Sequence, residues 1–220
     1  MTAVDPSDNT GPKPTRSSVH LRAALDRCLK LAAPWEGIVY RSVTPKYARS
    51  ADLLSGLGSR RVGGRWNPPG TMNAVYASLD PETAMREALS HYRYYRIPEH
   101  DAMPRVFVAI RIKLRRVLDL RPPEVRTTLR VSLDRMTRHD WRKAQEKQAE
   151  SLTQALGLAA FELGLHALLV PAATGPGGGP GTSPVARPVA IESNVVVFPH
   201  NIRPDGVLEA LRPWEPPDPT

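Results

Sequence analysis

Residues 63–89 read GGRWNPPGTMNAVYASLDPETAMREAL, and the fold is decided there. Gly63 and Gly64 allow backbone conformations that other residues resist. Pro68 and Pro69 remove two backbone donors and stiffen the exit, so Arg65, Trp66 and Asn67 stand on a rigid turn ending at Gly70. Ala74 to Ser78 predicts a short strand that sends Ala74, Tyr76 and Ser78 to one face. A helix follows, with Asp80 as its N-cap and Pro81 at the first helical position. Ala84, Ala88 and His91 share a face of it, and Glu87 lies on that face. A carboxylate in that setting is either paired or functional. An arginine on a rigid loop with a carboxylate on the next helix suits binding and cleaving a nucleotide.

Upstream, Leu21, Ala24, Leu25, Cys28 and Leu31 recur at helical spacing and predict an amphipathic helix over Val19–Leu31. The polar leader before it, to about residue 18, has the composition of a disordered segment. GIVYRS, Gly37 to Ser42, reads as a strand ending at Arg41, and Ala51–Ser59 as a turn-rich connection. Downstream, Val106, Val108, Ile110 and Ile112 alternate with Arg105, Arg111 and Lys113 in a half-buried strand, which Val117–Leu120 extends past a kink. Asp140–Leu163 reads as helical, with Gly157 separating two pieces. Leu165–Val170 and Ser193–Phe198 are further strands. Between them, Thr174–Ser183 (TGPGGGPGTS) is a flexible loop without core-forming residues. Arg203–Thr220 is a proline-rich tail around a short segment near Leu208–Leu211.

The chain has 220 residues, enough for one domain with extensions. It has no apolar run of bilayer-spanning length, and its N-terminus lacks the apolar core of a secretory signal. The single cysteine, Cys28, excludes a disulfide framework and a cysteine metal cluster. The six histidines show no metal-ligand spacing. These features predict a cytoplasmic protein without a metal. A formal charge of +8 suits an anionic partner, and a solvated basic face accounts for it as well. There is no Walker loop, dinucleotide GxGxxG fingerprint or GxSxG elbow.

Four residues are candidates for chemistry. Arg65 suits bidentate phosphate recognition or the capping of a carboxylate. Glu87 suits stabilisation of a sugar cation, a bond to a ribose hydroxyl, or a salt bridge to Arg41 or Arg65. Arg41 stands at a strand end, where ligand-binding side chains often lie. Tyr76 suits core packing or stacking on a flat ligand. Trp66 reads as a packing residue.

Tyr40-Arg41, the Ser55-Gly56 turn, Gly63-Gly64-Arg65-Trp66-Asn67 with Gly70, Val75-Tyr76-Ala77-Ser78 and the helix from Ala84 through Glu87 together resemble the RES domain. Trp141, Leu156-Gly157, Leu169-Val170-Pro171 and Asn194 to His200 continue the resemblance, which spans about Trp35 to Asn201. The family is named for an arginine, a glutamate and a serine. Its characterised members are toxins of bacterial toxin–antitoxin pairs that deplete NAD by hydrolysis or phosphorolysis at the nicotinamide–ribose bond. A helix-turn-helix antitoxin of the Xre type covers their active site.

The resemblance implies an α+β fold, with an ADP-ribosyltransferase-like split β-sheet core and flanking helices. It places a leader and helix at 1–34, the RES domain at 35–203 with a flexible loop at 174–188, and a tail at 204–220. Arg65 and Glu87 are its catalytic pair, and Arg41, Arg65 and Tyr76 its NAD contacts. NAD is then the substrate, inorganic phosphate a candidate co-substrate, and an Xre-type antitoxin the protein partner. No membrane or direct nucleic-acid binding is expected. The departure is Val170-Pro171-Ala172, where the family usually has Val-Pro-Ser; Thr174, Ser183 and Ser193 are other sources of a hydroxyl. Two alternatives stay open: transfer of ADP-ribose to a macromolecule, and a catalytically silent domain that binds a nucleotide or a protein.

Overall fold

The computed structural model describes residues 16–173 and 192–211. The expectations for the leader before residue 16, the loop at 174–188 and the end of the tail lie outside the described residues. In chain order the elements are α1 (Arg16–Cys28), β1 (Ala33–Val43), α2 (Ser50–Ser55), α3 (Leu57–Val62), β2 (Val75–Ser78), α4 (Pro81–Tyr94) and β3 (Val106–Asp119). They continue with α5 (Pro123–Leu129), α6 (Leu133–Arg138), α7 (Trp141–Glu146), α8 (Leu152–Glu162), β4 (Ala167–Pro171), β5 (Ser193–Val197) and β6 (Val207–Leu211). The fold is mixed α+β, a sheet with flanking helices, as the sequence implied.

The six strands form one sheet in the order β1-β2-β5-β4-β3-β6, and β1 also pairs with β3. Long β3 has partners along its whole length. Val106 to Val117 pairs antiparallel with β1, and Val117–Asp119 pairs parallel with β4. β1 meets β2 at one position, Tyr40 opposite Ser78. The period-two alternation of β3 sets which residues face inward: Val108, Ile110, Ile112 and Leu114 are buried while Arg111 and Lys113 are exposed. They share an apolar core with Val39, Val75, Ala77, Ala167, Leu169, Val195 and Val197. A second core covers the other face of β4 and β5. There Leu25 and Cys28 of α1, Leu129 of α5, Met136 of α6 and Leu156 of α8 meet Leu168, Val170, Val196 and Phe198.

α4 packs along β1 and starts as its sequence predicts. Asp80 accepts a 2.7 Å bond from the Thr83 N–H and another, also 2.7 Å, from the Thr83 hydroxyl. Three readings are corrected. The turn-rich stretch 51–59 lies in the short helices α2 and α3, which join at Gly56 with φ +66°. The helical run 140–163 breaks at 147–151, not at Gly157, which lies inside α8. A Cβ at Gly157 would stand 1.7 Å from the Trp66 carbonyl oxygen, so this glycine serves close approach and not a break. The segment near Leu208–Leu211, expected in the tail, pairs with Ala109–Lys113 of β3 as β6. Among the described residues no helix is long and apolar enough to cross a membrane.

Candidate functional site

The turn at 63–70 is held from every side. Gly64 and Asn67 exchange backbone bonds of 2.9 and 3.3 Å, and the Gly70 N–H donates to the Arg60 carbonyl at 2.7 Å. Gln154 of α8 donates to the Gly64 carbonyl at 3.0 Å, and Gln145 of α7 donates to the Val62 carbonyl at 3.1 Å. The Asn67 amide donates to the Ser59 carbonyl at 2.8 Å. Tyr76 completes the bracing. Its hydroxyl accepts from the Trp66 N–H at 2.9 Å and donates to Asn67 Oδ1 at 2.7 Å. A Cβ on Gly64 would lie 2.5 Å from that hydroxyl, so only glycine admits the tyrosine here. Burial pushes the Tyr76 phenol well above its ordinary range, so it stays protonated and keeps donating. Trp66 packs in the core, 2% exposed.

Arg65 projects from this turn. Its Nη1 donates to the carbonyls of Met136 at 3.2 Å and His139 at 3.0 Å, where α6 ends. Burial lowers its pKa, and the nearby Glu87 carboxylate works against that shift. Among the described residues Arg65 forms no ion pair within salt-bridge distance. Arg142 stands in the same electrostatic neighbourhood, its guanidinium 4.6 Å from the Trp141 ring centre and 4.9 Å from that of Tyr94.

Glu87 is half-buried on α4 and faces neutral donors. Asn194 Nδ2 donates to Glu87 Oε1 at 2.8 Å, and the Ala173 N–H donates to the same oxygen at 3.2 Å. Asn194 is oriented in turn by the Ser78 hydroxyl, which donates to its Oδ1 at 2.7 Å. Ser78 and Asn194 are register partners on β2 and β5, so the sheet itself fixes the carboxylate. No salt bridge joins Glu87 to Arg41 or Arg65 among the described residues.

Arg41 has a different partner. It shares the inward face of β1 with Val39 and Val43, and its guanidinium donates to the Leu53 carbonyl at the end of α2. Desolvation lowers its pKa to about 10. Among the described residues it makes no hydrogen bond or ion pair with Arg65, Tyr76 or Glu87. Arg65 thus shares an electrostatic neighbourhood with Tyr76 and Glu87, and Arg41 is one residue beyond the Tyr40–Ser78 junction.

A sequence model of the RES domain matches residues 22–215. The chain belongs to the RES domain family. The NAD(+) phosphorylase MbcT of Mycobacterium tuberculosis and that of Mycobacterium bovis are each 34% identical to it over 131 residues. Each alignment covers 57% of this chain and 64% of the relative, so the chain matches just under two thirds of these proteins' length. A chain in the crystal structure of the M. tuberculosis MbcT–MbcA toxin–antitoxin complex superposes with a TM-score of 0.64 at 25% identity. That match covers 88% of this chain and 90% of the other.

Ala172 is buried, its N–H donating to the Glu192 carbonyl at 2.7 Å. Of the alternative hydroxyls, Ser193 is buried and accepts from Arg121 at 3.2 Å; Thr174 and Ser183 lie outside the described residues. Among the described residues, the hydroxyl that enters the Glu87 network is that of Ser78. Sequence reasoning missed Ser78, Asn194, Gln145, Gln154 and Arg142. Asn194 and Ser78 fell within stretches quoted for the resemblance, but nothing local marks a strand asparagine as a carboxylate's partner.

Proposed function

We propose that this RES domain cleaves NAD at the nicotinamide–ribose bond, with Arg65 and Glu87 as its catalytic residues and with Arg41 and Tyr76 contributing to the NAD site. One observation carries the reading: a partly buried guanidinium and a carboxylate share a neighbourhood, yet each is anchored to neutral groups and not to the other. A structural pair would have closed the gap, because burying an unpaired guanidinium is costly. Charges kept apart in this way suit a ligand carrying the complementary charges. NAD carries them, as an anionic pyrophosphate and a cationic nicotinamide ribose.

Arg65, with Arg142 beside it, holds the pyrophosphate as a charge-assisted donor. Tyr76 keeps the Arg65 turn rigid. Glu87 faces C1 of the nicotinamide ribose. The C–N bond breaks with its electron pair passing to the ring, and neutral nicotinamide leaves. The carboxylate stabilises the oxocarbenium-like sugar until an acceptor oxygen bonds to C1. With inorganic phosphate as acceptor the product is ADP-ribose 1-phosphate; with water it is ADP-ribose and a proton. The relatives' name, NAD(+) phosphorylase, favours phosphate.

The structural neighbour comes from a toxin–antitoxin complex, which supports a toxin role and an antitoxin partner; we propose a cytoplasmic location and an antitoxin of the Xre helix-turn-helix type. Incubating purified protein with NAD, with and without phosphate, and identifying products by mass spectrometry tests the reading. ADP-ribose 1-phosphate and nicotinamide are expected. NAD recovered intact under both conditions would overturn it, and ADP-ribose found on an added macromolecule would replace it with the transferase.

A further inference from the structure

β4 ends beside Glu87, through Ala173, and begins beside a second feature. A surface cavity of about 480 Å3 is lined there by Arg115, Arg116, His166, Arg203, Pro204 and Asp205. β4 has five residues, so its ends lie roughly 17 Å apart and the cavity is separate from the Glu87 site.

Three guanidiniums converge on this cavity, from β3 and from the segment between β5 and β6. Arg115 pairs with Asp205. Arg116 donates a long 3.4 Å bond to the Leu163 carbonyl, at the C-terminal end of α8. The Arg203 guanidinium has no hydrogen-bond or ion-pair partner among the described residues. Three guanidiniums against one carboxylate leave two uncompensated positive charges around the cavity.

His166 supplies the second, independent observation. It is 1% exposed, and its Nδ1 is buried without a hydrogen-bond partner among the described residues. Its backbone is fixed by a 2.8 Å bond from its N–H to the Arg116 carbonyl and a 2.9 Å bond from the Phe198 N–H to its own carbonyl. A buried polar atom left unmatched is costly, and this one belongs to a side chain lining a basic cavity. Burial, then Arg116 and Arg203, hold the imidazole below its ordinary pKa while Asp205 works the other way; the ring is a neutral donor at neutral pH.

We propose that this cavity binds a small phosphate-bearing molecule, its dianionic phosphate held by Arg116 and Arg203 with the His166 imidazole as a third donor. The charge balance calls for a dianion. The volume falls within the range of small-molecule sites and exceeds what a bare phosphate fills. The cavity shares no lining residue with the Glu87 site.

The test follows the His166 ring signals by NMR in the full chain at fixed ionic strength. Inorganic phosphate, ribose 5-phosphate and chloride are added in separate titrations. The Arg65→Ala variant removes the anion contact of the other site. The signals should shift and saturate with ribose 5-phosphate in wild type and in Arg65→Ala alike, and inorganic phosphate should bind more weakly. Arg203→Ala, at an exposed position, should weaken the binding by about tenfold or more, the scale of one charge-assisted contact. Saturation by inorganic phosphate and ribose 5-phosphate at equal concentrations would overturn the monoester reading. Signals that do not move, that move equally with chloride, or that lose their response in Arg65→Ala would overturn the site itself.

Discussion

Asn194 on β5 donates a 2.8 Å hydrogen bond to Glu87 on α4, and so ties the candidate catalytic carboxylate to the sheet across 107 residues of sequence. Asn194 is thus a positioning residue. Removing a hydrogen bond to a charged group costs about 1.5–3 kcal/mol. Asn194→Ala should therefore lower kcat for NAD cleavage by about tenfold or more, with a smaller change in KM. Asn194→Asp replaces the neutral donor with a second carboxylate that repels Glu87, and should lower kcat at least as far as Asn194→Ala; a kcat equal to that of wild type would show that Asn194 acts elsewhere.

Tyr76→Phe separates bracing from stacking. The phenyl ring stacks as well as the phenol, but the Trp66 N–H and Asn67 Oδ1 each lose a partner. Leaving such groups unmatched costs about 1–3 kcal/mol. We expect a lower melting temperature and a lower kcat/KM together. Unchanged values in both would restore stacking as the tyrosine's sole role.

Gly157→Ala tests the close approach of α8 to the turn. The added Cβ would meet the Trp66 carbonyl oxygen at 1.7 Å, so either the helix or the Arg65 turn must shift. Overpacking of this kind costs about 1–3 kcal/mol and occasionally more. The variant should melt earlier and lose NAD cleavage out of proportion to its unfolded fraction, as measured by calorimetry beside activity.

Arg41 is a cation held in an apolar setting, and desolvation lowers its pKa to about 10. The unfolded chain therefore takes up the proton more readily, and the cost of the charge persists at neutral pH until the pH rises past about 10. Arg41→Met gives up one bond to Leu53 but also removes that cost. We predict a neutral-pH stability within about 1 kcal/mol of wild type and a loss of the thermal shift caused by NAD. A retained shift would remove Arg41 from the NAD site.

Several features were legible because they are local. The Asp80-Pro81 start of α4 is written in adjacent residues, and the alternation of Val108, Ile110 and Ile112 marks β3 without reference to the rest of the chain. The resemblance to the RES domain implied one site for Arg65, Tyr76 and Glu87, and Arg65 lies within electrostatic reach of the other two. What escaped was tertiary. Gly157 looks like a helix break until the Trp66 carbonyl is set against it. The helices α2 and α3 are too short to show an amphipathic period. The partners of Glu87 come from β5 and from the end of β4, which meet only through sheet register. Arg41 stands at a strand position that suits a ligand contact, but its bond to the Leu53 carbonyl comes from a helix that no local pattern marks.

The most direct test measures nicotinamide release at saturating NAD by wild type and Glu87→Gln, with phosphate present. Glutamine keeps the size of the side chain and can still accept from Asn194, but it carries no charge. Wild type should release nicotinamide and the variant should lose about 100-fold or more, the scale of removing one stabiliser of developing charge, with NAD affinity preserved. Equal release by the two proteins would contradict the role assigned to the Glu87 carboxylate.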